Sequence, residues 1–160
     1  MRQIIINKNS SGDSRTAKEI PTYAEFQKAN REHQKDVRRV LYEIALDIER
    51  RGEYHDFTKT NKAEKIFYHD LCETMKGKME FEKGEWAKLH YSTERHHLSR
   101  NVPDSVNLID VIEMIADCVC AGMARSGEVR PLDIDESILI RAMHNTEQLI
   151  KNSIELIGDE

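Results

Sequence analysis

The chain has 160 residues, 33% of them charged and 6% aromatic, with a formal net charge of −5. That length suits a single domain with one proper core, and the composition fits a soluble, helix-rich protein better than a β-sandwich. The acidic balance argues against general nucleic-acid binding, and no apolar run approaches the roughly 20 residues that span a membrane.

Ile4-Ile5-Ile6 is an apolar run too short for a secretory leader, and polar Asn7-Lys8-Asn9 follows at once. Residues 3–6 read as one short strand with no obvious partner. From Asn7 to Lys18 the Asn, Ser, Gly, Asp and Lys content predicts a flexible arm. The expected organisation is therefore an N-terminal arm over residues 1–20, a short strand or disordered, and one helical domain over 21–160. Three cysteines cannot all pair, so the chain is expected in the reducing cytoplasm, the host's if it is phage-encoded, with all three as core thiols.

A long helix is predicted from Pro21-Thr22 to Gly52, where Arg50 and Arg51 suit the C-terminal dipole. Its apolar stripe runs Phe26, Ala29, Val37, Val40, Leu41, Ile44 and Ile48, and His33 falls on that stripe. His55-Asp56-Phe57-Thr58-Lys59 follows in a turn or at the next helix start. An adjacent imidazole and carboxylate make a mixed pair suited to zinc, manganese or iron. A second such pair, His69-Asp70, lies within a helix predicted from about Lys62 to Met75, whose buried side is Ile66, Phe67, Leu71 and Met75. It reads as a surface decoy.

A third helix starts near Phe81 and places Trp86, His90, Thr93 and His97 at spacings of four, three and four. In a continuous helix His90 and His97 would stand about 10.5 Å apart along the axis, too far to share one ion. Either they serve two ions, or the chain leaves the helix near Ser92-Thr93 and folds back. After Asn101-Val102-Pro103-Asp104, residues Leu108 to Ala124 form a helix apolar nearly all round, which predicts a central position. Its carboxylates Asp110, Glu113 and Asp117 share one stripe, with Asp117 expected deepest. Such a stripe calls for facing cations, metals or donors, and salt bridges to a neighbouring helix are the alternative. Gly127 ends this helix and Arg130-Pro131 makes a loop. Leu132-Asp133-Ile134-Asp135-Glu136 offers acidic capping residues for a last helix, about Asp135 to Ile157, with Leu139, Ala142, Met143, Leu149, Ile150, Ile154 and Ile157 inward. His144 reads as structural, and Asp159-Glu160 as a frayed end.

The order of these features carries more than any one of them. Helical His33, then His55-Asp56, then His90 with His96-His97, then Asp117 resembles the HD superfamily of metal-dependent phosphohydrolases. The nearest likeness is a small HD-like family of phages and bacteria that reads HD-x-S-K, then His with a His-His pair, then Glu-Met-x-x-Asp. Here these are His55-Asp56-Phe57-Thr58-Lys59, His90 with His96-His97, and Glu113-Met114-Ile115-Ala116-Asp117. Thr58 stands where Ser is usual. The likeness covers roughly residues 30 to 120.

The resemblance implies an all-α, HD-like helical bundle of about five main helices. It also implies one or two divalent ions (Mn, Fe, Zn, Mg, Co or Ni) held by His33, His55, Asp56 and Asp117. His90 with His96 or His97 would serve a second ion, and Asp56 would bridge. Asp56, Lys59 and Glu113 are the candidate catalytic set, and Lys59, Arg95 and Arg100 the candidate phosphate contacts. Glu113 and, beside His33, Asp36 are candidates to orient ligands. The expected function is hydrolysis of a phosphate ester of a nucleotide or signalling nucleotide by metal-activated water. The alternative is a non-catalytic metal-binding helical protein, such as a phage accessory factor that binds a partner or sequesters a nucleotide. Expected partners are a small phosphorylated substrate, with no membrane and no nucleic acid, and self-association is left open.

Overall fold

A computed structural model of the protein describes residues 1–8, 17, 19–61, 63–129, 131–132 and 134–158. Residues 9–16 and 18 of the expected arm lie outside the described residues, as do Lys62, Arg130, Asp133, Asp159 and Glu160. Among the described residues the chain is all-α apart from one two-stranded sheet, with 66% helix and five main helices. In order these elements are β1 (Ile4–Asn7), α1 (Tyr23–Glu53), α2 (Phe57–Thr60), α3 (Glu64–Met75), α4 (Glu85–Thr93), α5 (Leu108–Ser126), α6 (Glu136–Ser153) and β2 (Ile154–Ile157). No described helix is long and apolar enough to cross a membrane. Residues 1–47 with 147–160 make one compact unit, and residues 48–146 make another.

In the first unit α1 opens on a reciprocal cap. Thr22 Oγ1 accepts from Glu25 N at 3.3 Å, and Glu25 Oε2 accepts from Thr22 N at 2.8 Å. β1 pairs in parallel with β2, Ile4 opposite Ile154 and Asn7 opposite Ile157. The strand at 3–6 therefore has a partner, and the last helix ends at Ser153, not at Ile157. Ile154-Glu-Leu-Ile continues the apolar spacing of α6, and periodicity alone cannot separate a short strand from a helix end. The backbone of β1 is held by Arg39, whose Nη1 donates to Ile5 O at 3.1 Å. Along α1 only Ala29 is fully buried, and Phe26, Val37 and Leu41 are exposed.

The second unit has two cores. One joins Leu98 and Val106 to Val111 and Met114 of α5 and Ala142 of α6. Thr146 ties these helices by accepting from Leu108 N at 2.9 Å while donating to Ala142 O at 2.7 Å. The other core packs Trp86 and Ala87 of α4 against Ala63, Ile66 and Phe67. The His69-Asp70 pair divides between surface and interior. His69 is exposed, whereas Asp70 is 4% exposed and accepts from Trp86 N at 2.8 Å, satisfying a first-turn amide of α4. Asp70 is thus a structural cap, not a surface residue. Gly84 is required beside it, because a Cβ there would lie 2.4 Å from Asp70 Oδ2.

α5 begins with a capping box between Asn107 and Asp110 and ends at Gly127, whose φ of 73° is the left-handed cap. The helix is less central than its composition predicts. Ile112, Ile115, Val119 and Met123 are exposed, as is Cys120, so Cys120 is not a core thiol. Met75 and Met143, expected inward, are exposed too, because the covered faces of α3 and α6 centre on Ala63 and Asp70 and on Ala142 and Thr146.

Candidate metal centre

α1 stops at Glu53, and the chain reaches α2 through a tight turn with Asp56 at φ 55° and ψ 31°. It is the one non-glycine residue at positive φ among the described residues, a conformation that costs energy and that Asp and Asn tolerate best. The turn aims the Asp56 carboxylate inward, next to His55. Helix α4 supplies His90 from its last turn. The chain then leaves the helix at Thr93, and Glu94 is extended, so His96 and His97 fold back towards His90. The folding back puts the Nε2 atoms of His90 and His97 2.7 Å apart.

Two overlapping groups of potential ligands result, with atoms within 4.8 Å of one another. One contains Asp56, His90, His96 and His97, and the other His55, His96 and Asp117. Asp56 Oδ1 lies 3.4 Å from His90 Nε2 and 3.6 Å from His96 Nε2. Asp56 Oδ2 faces His55 Nε2 at 3.4 Å and accepts a hydrogen bond from Lys59 Nζ. His55 Nε2 is 3.5 Å from Asp117 Oδ1. Two atoms bound to one ion at about 2.0–2.2 Å each stand about 3–4 Å apart, so these separations fit a divalent ion. Asp56 Oδ1 and His96 Nε2 are moreover buried without a hydrogen-bond partner. Buried polar atoms rarely go unpaired, and these two point at the same place.

The outer ring of contacts sets which nitrogen of each imidazole is free. Thr58 Oγ1 donates to Glu94 Oε1 at 2.8 Å, so towards His90 Nδ1, 2.6 Å away, it must act as acceptor. His90 therefore carries its proton on Nδ1 and presents a bare Nε2. Thr58 is itself locked: its N donates to Glu94 Oε1 at 3.0 Å, and its carbonyl accepts from Trp86 Nε1 at 3.1 Å. Trp86 stacks on the His90 ring at 4.3 Å and 19°. Glu113 does the same work for the other group. Its Oε1 lies 3.1 Å from His55 Nδ1, and His96 Nδ1 approaches the same oxygen at 3.2 Å, off good hydrogen-bond alignment. Carboxylate–histidine pairs of this kind raise ligand basicity and fix ring orientation.

Behind Glu113 lies an ion network that spacing alone did not expose. Arg51 donates to Glu113 Oε2 at 2.9 Å and to Asp110 Oδ1 at 2.7 Å. Arg95 grips Asp110 with two parallel bonds from one edge of its guanidinium, Nε to Oδ1 at 2.8 Å and Nη2 to Oδ2 at 2.7 Å, and also reaches Ser105. The carboxylate stripe of α5 thus grades from salt bridges at Asp110 to candidate ligand at Asp117. Asp110 is the deepest of the three, with its side chain 0% exposed against 28% for Asp117, because the arginines cover the start of the helix and a pocket opens at Asp117.

Of the predicted site residues, the structure gathers His55, Asp56, Lys59, His90, His96, His97, Glu113 and Asp117. His33 belongs to the first unit, where it is exposed on α1 near Asp36, whose carboxylate pairs with Arg39 at 3.4 Å. Arg95 serves Asp110, and Arg100 pairs with Glu82 at 2.8 Å over the Tyr91 ring. His144 is exposed and apart. Thr58, Glu94, Trp86, Arg51 and Asp110 hold the site together. Their signal in the sequence was position only, next to a ligand or one turn from it.

Burial, with the nearby His97 and His96 rings adding to it, pushes the pKa of His90 and of His97 down from 6.5 to about 4. Both rings are neutral at pH 7, as a ligand must be. His96 moves the other way: burial opposes its charged form, but Glu113, Asp56 and Asp117 outweigh it and raise the pKa. Asp56 is held below the carboxylate range because Lys59 and the His55 ring outweigh its burial. Between pH 6.5 and about 4 the unfolded chain takes up protons that folded His90 and His97 refuse, so stability falls with pH across that window. His96 contributes oppositely: its stabilisation is complete below 6.5 and fades as pH rises through its raised pKa. Metal-free protein is therefore expected to be most stable near pH 6.5. It should lose on the order of 3 kcal/mol by about pH 4.5, as read by urea midpoints across pH 4–9.

Comparison with known families adds one fact. A family model described as "Family of unknown function (DUF5662)" matches residues 22–156. The chain belongs to the DUF5662 family. The match takes in the whole of the candidate centre, from Arg51 to Asp117. No curated protein and no solved structure matches the chain.

Proposed function

We propose that this DUF5662 chain is a metal-dependent phosphohydrolase of the HD type, acting on a small phosphorylated substrate such as a nucleotide. One observation carries the reading. Asp56 Oδ1 and His96 Nε2 are buried without partners amid the imidazoles of His55, His90 and His97, while Thr58 holds the His90 ring and Glu113 the His55 ring from behind. Asp56, His90 and His97 would hold one ion and His55 and Asp117 a second, with the single Nε2 lone pair of His96 available to either but not to both. A bound divalent ion lowers the pKa of its water towards 7 and neutralises charge on phosphoryl oxygens.

The protein's own groups supply the rest. Lys59 keeps Asp56 ionised through its hydrogen bond, and its remaining donors are free to meet a phosphate oxygen as a point charge. Glu113 and Thr58 keep the protons of His55 and His90 on Nδ1, so each Nε2 lone pair stays available. Asp117 and His55, both partly exposed, form the side of the centre that substrate can reach.

The test is metal analysis of the purified chain together with hydrolysis of p-nitrophenyl phosphate and a nucleotide panel under added manganese. Expected are about one or two ions per chain, with turnover abolished by a chelator and restored by manganese. A chain that retains no divalent ion after loading overturns the reading. Metal binding that raises the melting temperature but supports no turnover supports the non-catalytic alternative instead.

A further inference from the structure

Beside the centre lies a pocket of about 270 Å³ that uses His55, Glu113 and Asp117 as one edge. Its wall is apolar, built by Ile48 on α1 and by Ile109, Ile112 and Ala116 on α5. Gly52 leaves the α1 side open, since a Cβ added there would meet nothing within 4 Å. Arg51, the one arginine or lysine among the described residues that line the pocket, is already engaged by Asp110 and Glu113. The pocket therefore offers area to an incoming group, and its polar atoms gather at the edge shared with the ligands. A cavity of about 150 Å³ is enough to hold benzene, so this one has room for a two-ring system.

We infer that this pocket receives the non-phosphate part of the substrate, and that the preferred substrate is a phosphate ester of an apolar, ring-bearing alcohol. The inference rests on the phosphohydrolase reading and narrows it. A nucleobase meets the description through its ring faces, while its edge groups find few partners in the wall. Orientation follows from the layout: the phosphate sits at His55 and Asp117 with Lys59 behind, and the ring lies along α5. Selectivity then comes from burial of apolar area, which is worth roughly tenfold to hundredfold for a ring over a small polar alcohol.

Cys120 provides a readout that does not depend on turnover. Its thiol is exposed at the pocket, whereas Cys72 and Cys118 are only partly exposed. The experiment compares kcat/KM of the manganese-loaded full chain on 1-naphthyl, phenyl and glycerol phosphates. In parallel, site-resolved alkylation of Cys120 is followed with naphthylmethylphosphonate or with inorganic phosphate alone. Expected is a preference for naphthyl over glycerol phosphate of at least about tenfold. The phosphonate should slow Cys120 alkylation several-fold and inorganic phosphate should not. Ala116→Phe, which fills the pocket, should abolish that protection while metal content is retained. Equal kcat/KM on the three esters with unprotected Cys120 overturns the pocket assignment and leaves the hydrolase standing. Protection of Cys120 with no hydrolysis of any ester overturns the catalytic reading, and the substrate assignment with it.

Discussion

Asp56→Asn is expected to leave the helical content of the chain intact while lowering metal affinity and phosphatase activity by at least about 100-fold. Changes to groups that merely orient a ligand cost about 10–100-fold, and Asp56 is proposed as a ligand itself. Asn is the informative replacement because it also tolerates the left-handed backbone at φ 55° that the turn after α1 imposes. Asp56→Ala would add backbone strain to the loss of the carboxylate and confuse the two effects. Circular dichroism checks the fold, and calorimetric titration with manganese checks the affinity. Lys59 supplies an internal control, since its ammonium loses its carboxylate partner in the variant. Wild-type metal affinity in a folded Asp56→Asn chain would remove Asp56 from the centre.

Much of this site was legible from residue order, and the reason is physical. His55, Asp56, His90, His96, His97, Glu113 and Asp117 are chemically distinctive, and burial of such groups demands partners, so their convergence follows once the helices are placed. His33 shows the limit. Its place on an apolar stripe implied a buried face, but Phe26, Val37 and Leu41 on that stripe are themselves exposed. A periodic pattern states which residues share a face, not whether anything covers it. β2 shows a second limit, because Ile154-Glu-Leu-Ile suits a helix end as well as a strand, and only pairing with Ile4–Asn7 decides. Thr58 shows a third. As the substitute for a usual Ser it looked neutral, yet its hydroxyl decides which nitrogen of His90 is bare, a role that needs coordinates for His90 and Glu94 together.

The three carboxylates of α5 should separate stability from function along a single helix face. Asp110→Asn is expected to be the most destabilising of the three, by about 3 kcal/mol in urea denaturation of metal-free protein. Its side chain is fully buried and receives Arg51, two bonds from one edge of Arg95, and the Asn107 backbone N–H at 2.9 Å. An amide there keeps the shape but offers N–H groups to two guanidiniums. The cost falls at the low end for a broken buried pair because both arginines reach solvent, with side chains 29% and 31% exposed. Asp117→Asn should cost little stability, since its side chain is 28% exposed and faces the His55 and His96 rings with no arginine bridged to it among the described residues, while weakening metal binding most. Glu113→Gln should fall between on both scales. It loses part of its hold on Arg51 and frees the His55 and His96 rings, costing about 10–100-fold in metal affinity. The two orders run in opposite directions, and that opposition is the test. If Asp117→Asn were the most destabilising without metal, the stripe would be a salt-bridge ladder throughout, and its outer end would lose its claim as a ligand.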